Sequence, residues 1–132
     1  MRNYFGAVMH YGWAIEANPS NPDNYIHRAS FLERIRNFEQ ALSDYNEAIR
    51  LGTDVIIAYL GRANVHYNLS MYHEALADLT TAIAIDPYEQ AAYFNRAIVY
   101  KQLATESENI NDQNMYEDKA MEDLRIWAEL QE

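Results

Sequence analysis

Between Tyr59 and Pro87 the chain reads YLGRANVHYNLSMYHEALADLTTAIAIDP. Tyr59, Arg62 and Ala63 recur 34 positions upstream as Tyr25, Arg28 and Ala29, and 34 downstream as Tyr93, Arg96 and Ala97. Two alanine series keep the same step: Ala7, Ala41 and Ala75, then Ala14, Ala48 and Ala82. Pro19 and Pro87 stand two steps apart, with Thr53 between them. Independent series that agree on one period mean that a single supersecondary unit is stacked along the chain.

The unit itself is a helix pair. Tyr59, Ala63 and His66, with Val65 and Leu69 beside them, keep helical spacing up to a short polar break. Tyr72, Ala75, Leu76, Leu79, Ala82 and Ile83 form a second helical pattern, and Asp86-Pro87 ends it because proline cannot continue the preceding helix. Two helices of about a dozen residues joined by a tight turn lie antiparallel. Alanines at the matched positions let them approach closely. A unit of this size cannot bury its apolar face alone, so the stack is the core. The fold class read from this pattern is all-α, an α-solenoid of antiparallel helix hairpins.

At the positions where the 34-residue tetratricopeptide pattern places Trp, Leu-Gly, Tyr, Ala, Phe and Pro, the chain offers Tyr25, Arg28-Ala29, Leu32, Ala41, Tyr45 and Thr53. The next unit offers Tyr59, Arg62-Ala63, His66, Ala75, Leu79 and Pro87, and the third Tyr93, Arg96-Ala97, Tyr100, Ala120 and Leu124. Tyr4, Ala7, Tyr11, Ala14 and Pro19 fit the second helix of a preceding unit. On these residues the chain resembles the tetratricopeptide repeat family over nearly its whole length. The resemblance implies a right-handed solenoid of about three and a half units and seven helices: a half unit over 1–19, then units over 22–55, 56–89 and 90–132. Three departures stand out. Arginine replaces the usual leucine in all three units, His66 occupies an aromatic position, and the third unit is interrupted.

The interruption has a definite size. Ala75 and Ala120 are 45 apart, 11 more than the period, and the extra residues fall around 105–116. Eleven residues make about three helical turns, so both helices of the last hairpin can lengthen without changing which faces meet. The polar, asparagine-rich run from Thr105 to Asn114 reads as a solvated tip. The expectation is one overlong hairpin, from Tyr93 to about Glu106 and from about Met115 to Leu130, with a mobile tip near Asn109 to Gln113. The tip reads first as a longer loop tolerated at the surface and, as the alternative, as a contact for a partner.

Composition narrows the partners. With 132 residues a single domain is expected. No run is long enough to span a membrane, and the apolar stretch 1–17 carries Arg2, His10 and Glu16 at helical spacing, unlike a signal peptide; a cytoplasmic location is favoured. A formal net charge of −10 repels phosphate backbones, which argues against nucleic acid. The chain has no cysteine, which removes disulfides, thiolate catalysis and zinc-thiolate sites.

Arg28, Arg62 and Arg96 suggest an anion-binding ladder. Each, however, lies on the helical face of the core, where a guanidinium needs a partner. The second helices supply Asp44, Asp78 and, after the insertion, Asp123, so structural ion pairs Arg28–Asp44, Arg62–Asp78 and Arg96–Asp123 are expected. His10, His27, His66 and His73 form no pair three or four residues apart, so no metal site is read; His66 reads as a packed ring and His73 as a turn residue. There is no nucleophile elbow and no phosphate-cradling glycine loop, and most of the other carboxylates fall on solvated helix faces or in the insertion. No catalytic residue and no cofactor are read, and the chain is not expected to be an enzyme.

A surface remains. In the family the first helices of successive units line a concave face. The stripe about 100° from the core, at about 100° per residue, comprises Ile26, Ser30 and Glu33, then Leu60, Asn64 and Tyr67, then Phe94, Ile98 and Lys101. The family's best-known groove grips a carboxylate terminus with lysines and asparagines, and here only Asn64 and Lys101 resemble it. The expected function is a protein-interaction scaffold that takes a peptide segment into an apolar, tyrosine-bearing groove. Two alternatives stand beside it: self-assembly as a homodimer through an unpaired first helix exposing Phe5, Val8 and Tyr11 or Trp13, and a non-catalytic regulatory piece of a larger enzyme.

Overall fold

A computed structural model describes residues 4–53 and 55–132; Arg2, within the apolar N-terminal stretch, lies outside them, as do the first residues of the half unit over 1–19. Among the described residues there are seven helices and no strands: α1 (Tyr4–Ala17), α2 (Pro22–Arg34), α3 (Phe38–Arg50), α4 (Ile56–Asn68), α5 (Tyr72–Ile85), α6 (Gln90–Glu106) and α7 (Ile110–Leu130). Contacts run between consecutive helices, and additionally between α2 and α4 and between α4 and α6. The architecture is an all-α solenoid. No helix is long and apolar enough to cross a membrane among the described residues.

Three helix ends share one device. Arg36, Gly52 and Ser70 have φ of 64°, 96° and 62°, the left-handed region. Each follows a helix whose last carbonyls it closes. Asn37 N–H donates to Leu32 O at 2.8 Å and Arg36 N–H to Glu33 O at 3.0 Å, and Met71 N–H and Ser70 N–H do the same to His66 O and Tyr67 O. This is the Schellman end, in which a residue in the left-handed conformation lets two orphan carbonyls be satisfied. It turns the chain within about three residues and so sets the antiparallel hairpins α2–α3 and α4–α5.

Two cores result. Ile26, Ala29, Leu32, Ala41, Tyr45, Ala48, Ala58 and Val65 are buried in one cluster, and Ala63, Ala75, Leu79, Val99 and Leu103 in the other. The buried alanines Ala41, Ala48, Ala75, Ala82 and Ala120 have no exposed surface, as close helix approach demands. The tyrosine that opens a unit also ties it to the break before it: Tyr25 donates to Pro19 O at 3.1 Å and Tyr93 to Pro87 O at 2.9 Å.

The last hairpin corrects the expected tip. The bend is confined to Ser107–Asn109, and α7 begins at Ile110 rather than near Met115. Asn109 caps it, accepting from Asn111 N–H at 2.7 Å, and Gln113 donates back to Ser107 O at 2.6 Å. The run expected as a mobile tip is thus an N-cap followed by a first turn, because asparagine satisfies orphan amides as readily as it populates loops.

Candidate functional site

Each repeated arginine reaches the aspartate of its own hairpin. Arg28 Nε and Nη2 donate to Asp44 at 2.7 and 2.8 Å, and Arg96 Nε and Nη2 to Asp123 at 2.8 and 2.7 Å. Arg62 grips Asp78 with Nε at 3.0 Å and Nη2 at 2.6 Å. All three aspartates are buried. The Asp44 and Asp123 hydrogen bonds raise the pKa of Arg28 and Arg96 above the usual guanidinium range, more than burial lowers it. Two further contacts escaped the sequence reading. Arg62 Nη1 also donates to Asn46 Oδ1 at 3.0 Å, and Arg96 Nη1 lies 3.4 Å from Thr80 Oγ1, so these arginines clamp the preceding hairpin as well. Asn46 and Thr80 are 34 apart, and the matching position for Arg28 is Gly12, which has no side chain to offer. His66, read as a packed ring, is buried with Nδ1 at 2.8 Å from Asp78 Oδ2, so its role is polar as well as steric.

The stripe expected to form a groove divides. Ile26 is 5% exposed and belongs to the first core cluster, reaching solvent only where it lines the cleft between α1, α2 and the start of α4. Leu60 and Tyr67 are half-buried and pack on the second cluster, and Tyr67 also meets the Tyr72 ring at 5.5 Å. The physical reason is the contact of α2 with α4 and of α4 with α6: a side chain turned away from its own hairpin meets the next first helix, not water. Phe94 occupies the same position in α6 and stays 40% exposed, with the Trp127 ring of α7 beside it at 5.3 Å. Ser30, Asn64, Ile98 and Lys101 are exposed. Lys101 borders a separate cleft with Ala104, Thr105, Glu117 and Met121, between α6 and α7, and is not brought to the other candidates.

Two depressions lie along the first helices. One, of about 100 Å³, has Ala63, Leu79 and Val99 as its buried lining and Asn64, Tyr67, Asn95 and Ile98 at its edge. The other is an open cleft of about 460 Å³ between α1, α2 and the start of α4, where Tyr11, His27, Ser30, Arg34, Val55 and Ile57 come together. Glu33 stands beside the first. Its Oε1 accepts from the Tyr45 phenol at 2.8 Å and its Oε2 from the Asn64 amide. Burial, followed by the Glu33 carboxylate, raises the Tyr45 pKa far above the ordinary phenol range, so the phenol remains a donor. Gly61 makes this arrangement possible, since a Cβ there would lie 2.2 Å from Tyr45 Oη. Asn95, Tyr45 and Gly61 were not legible as site residues: Gly61 carries no side-chain signal, and Tyr45 reads as core. Among the described residues no group of three histidine or carboxylate side chains is placed to hold a metal ion.

In α1, Phe5 and Trp13 are 77% and 60% exposed. Val8 packs against the first core cluster and Tyr11 meets the Phe31 ring at 5.9 Å, so these two, expected on the open face, point inward.

Comparison with known proteins places this geometry. The family model described as tetratricopeptide repeat matches residues 56–89. Among solved structures, the Arabidopsis OM64 TPR domain is 30% identical, with 73% of this chain and 79% of that chain covered and a TM-score of 0.70. The first TPR of Spaghetti (RPAP3), solved with the HSP90 peptide SRMEEVD, is 29% identical over 76% of this chain and 80% of that one, at a TM-score of 0.74. MamA shares the fold at a TM-score of 0.81 with 21% identity, over 95% of this chain and 67% of that one. In a second MamA structure the chain spans 63% of the length. No curated protein sequence matches significantly.

Proposed function

Since the chain belongs to the tetratricopeptide repeat family, a fold of protein-interaction modules, we propose that it is a non-catalytic scaffold holding an extended peptide segment along α2, α4 and α6. The observation that carries this reading is the pocket of about 100 Å³ between α4 and α6, whose lining is apolar and whose edge bears the amides of Asn64 and Asn95. An apolar hole ringed by a few oriented polar groups anchors a side chain while the amides meet a peptide backbone. The HSP90 peptide bound by RPAP3 supports a peptide as ligand class. The test is selection from a randomised peptide library, followed by Ile98→Asp. Ile98 is 37% exposed, so the variant should keep its melting midpoint within about 0.5 kcal/mol-equivalent, while the selected peptides lose roughly tenfold or more in affinity. Unchanged affinity would place binding elsewhere.

One observation favours a second reading. Phe5 and Trp13 leave an aromatic face of α1 open, and an apolar face of that kind marks an interaction site. In this reading a second copy of the chain covers α1. Sedimentation equilibrium decides it: a dimer that Trp13→Glu dissociates supports self-assembly, and a monomer at all concentrations excludes it.

A further inference from the structure

Glu33 is the half-buried carboxylate beside the apolar pocket. The three buried aspartates each face an arginine, and Glu47, Glu122 and Glu129 also have arginine partners. None of the ion pairs among the described residues includes Glu33; its two oxygens accept only from neutral donors, the Tyr45 phenol and the Asn64 amide. A carboxylate has about four acceptor sites, so roughly half of its capacity is open. The group is also fixed. Tyr45 is 2% exposed, with its ring seated on α4 at Gly61, so the phenol cannot swing away. A half-buried carboxylate held in place by neutral donors keeps lone pairs free for a cation, and the formal charge of −10 adds a field that attracts one.

Asn64 joins this carboxylate to the apolar pocket, since it donates to Glu33 and also forms part of the pocket's edge. At about 100 Å³ the pocket is smaller than the roughly 150 Å³ that holds a benzene ring. Its size therefore suits a branched or unbranched aliphatic side chain better than an indole. We infer that the groove selects a peptide in which an aliphatic residue sits close to a lysine or arginine, the first filling the pocket at Ala63, Leu79 and Val99 and the second pairing with Glu33. This rests on the peptide-groove reading above and gives the ligand a sign: basic, opposite to the acidic HSP90 peptide seen on RPAP3.

The experiment is selection of a randomised heptapeptide library on the full chain, on Glu33→Gln and on Glu33→Lys. Glutamine keeps the acceptor for Tyr45, so Glu33→Gln should fold and melt like the parent. On the parent, peptides with Leu, Ile or Met and a nearby Lys or Arg should be enriched about tenfold over their Asp or Glu counterparts, a preference that weakens as salt is raised. Glu33→Gln should lose the charge preference and keep the aliphatic one, and Glu33→Lys should favour acidic peptides. Selection of acidic peptides by the parent, or a basic preference that survives Glu33→Gln, overturns the inference and leaves the peptide groove standing. A library from which nothing is selected overturns both.

Discussion

Arg62 binds Asp78 in its own hairpin and Asn46 in the one before, and His66 is bound to the same Asp78 carboxylate. Removing the guanidinium leaves Asp78 charged and buried with only His66 beside it. We expect Arg62→Met to lower stability by about 3 kcal/mol, the scale for breaking a buried pair from one side, read as the urea midpoint at constant slope. Loss of less than about 1 kcal/mol would mean that solvent or His66 replaces the arginine. Gly61 gives a prediction of opposite sign to the usual rule. Glycine to alanine within a helix normally gains about 1 kcal/mol, but here the new methyl meets Tyr45 Oη at 2.2 Å. Gly61→Ala should therefore destabilise by about 1–3 kcal/mol. In a Tyr45→Leu background the obstacle is gone, and the same change should become neutral or stabilising, a coupling that a double-mutant cycle measures directly.

Among the elements, the α6–α7 hairpin is the one that departs from the period. Ser70 in its left-handed turn has its counterpart at Arg36 one period earlier and at Ala104 one period later, yet Ala104 is helical because the inserted residues carry α6 on to Glu106. Deleting residues 105–115 joins Ala104 to Tyr116 and restores the 34-residue step between Ala75 and Ala120, and Leu103 keeps its place in the second cluster. The shortened turn then requires the left-handed conformation at position 104. With Ala104→Gly in the deletion variant, we expect a single cooperative transition; with alanine retained, the variant should be less stable by about 1 kcal/mol. Thermal melts of the two variants check this. Failure of both to fold would show that the inserted residues 105–115 are part of the core rather than an extension of the hairpin.

On the scale of the whole molecule, a solenoid is held by nearest neighbours, so stability falls towards its ends. Helix α1 has no buried residue and contacts only α2 among the described helices, whereas α4 touches four others. Hydrogen exchange read by mass spectrometry should show least protection in α1 and most in α3 to α5, because opening α1 exposes little apolar surface. Protection of α1 comparable to α4 would mean that something covers Phe5 and Trp13, and a second copy of the chain becomes the explanation to test. If α1 frays independently, the cleft it forms with α2 opens with it, and the pocket between α4 and α6 does not.

The hairpins and their order follow from the sequence by itself, because a repeat converts spacing into geometry. Tyr25, Tyr59 and Tyr93 mark units whose helices can pair in one way only, and the separation between arginine and aspartate is 16 residues around each short turn and 27 around the long one, the difference being the 11 inserted residues. Such contacts are local and inherit the period. What the tertiary structure decided lies between units. Helical phase places Ile26 and Ile98 on the same stripe, but only packing against neighbouring helices buries Ile26 and leaves Ile98 at the edge of a pocket. Likewise Glu33, Tyr45 and Asn64 come from three helices, and their meeting depends on an approach permitted by Gly61, a residue with no side chain to announce it. The left-handed turns at Arg36 and Ser70 also escape sequence reading, since neither is glycine; the hairpin closure imposes a conformation that the residue alone disfavours.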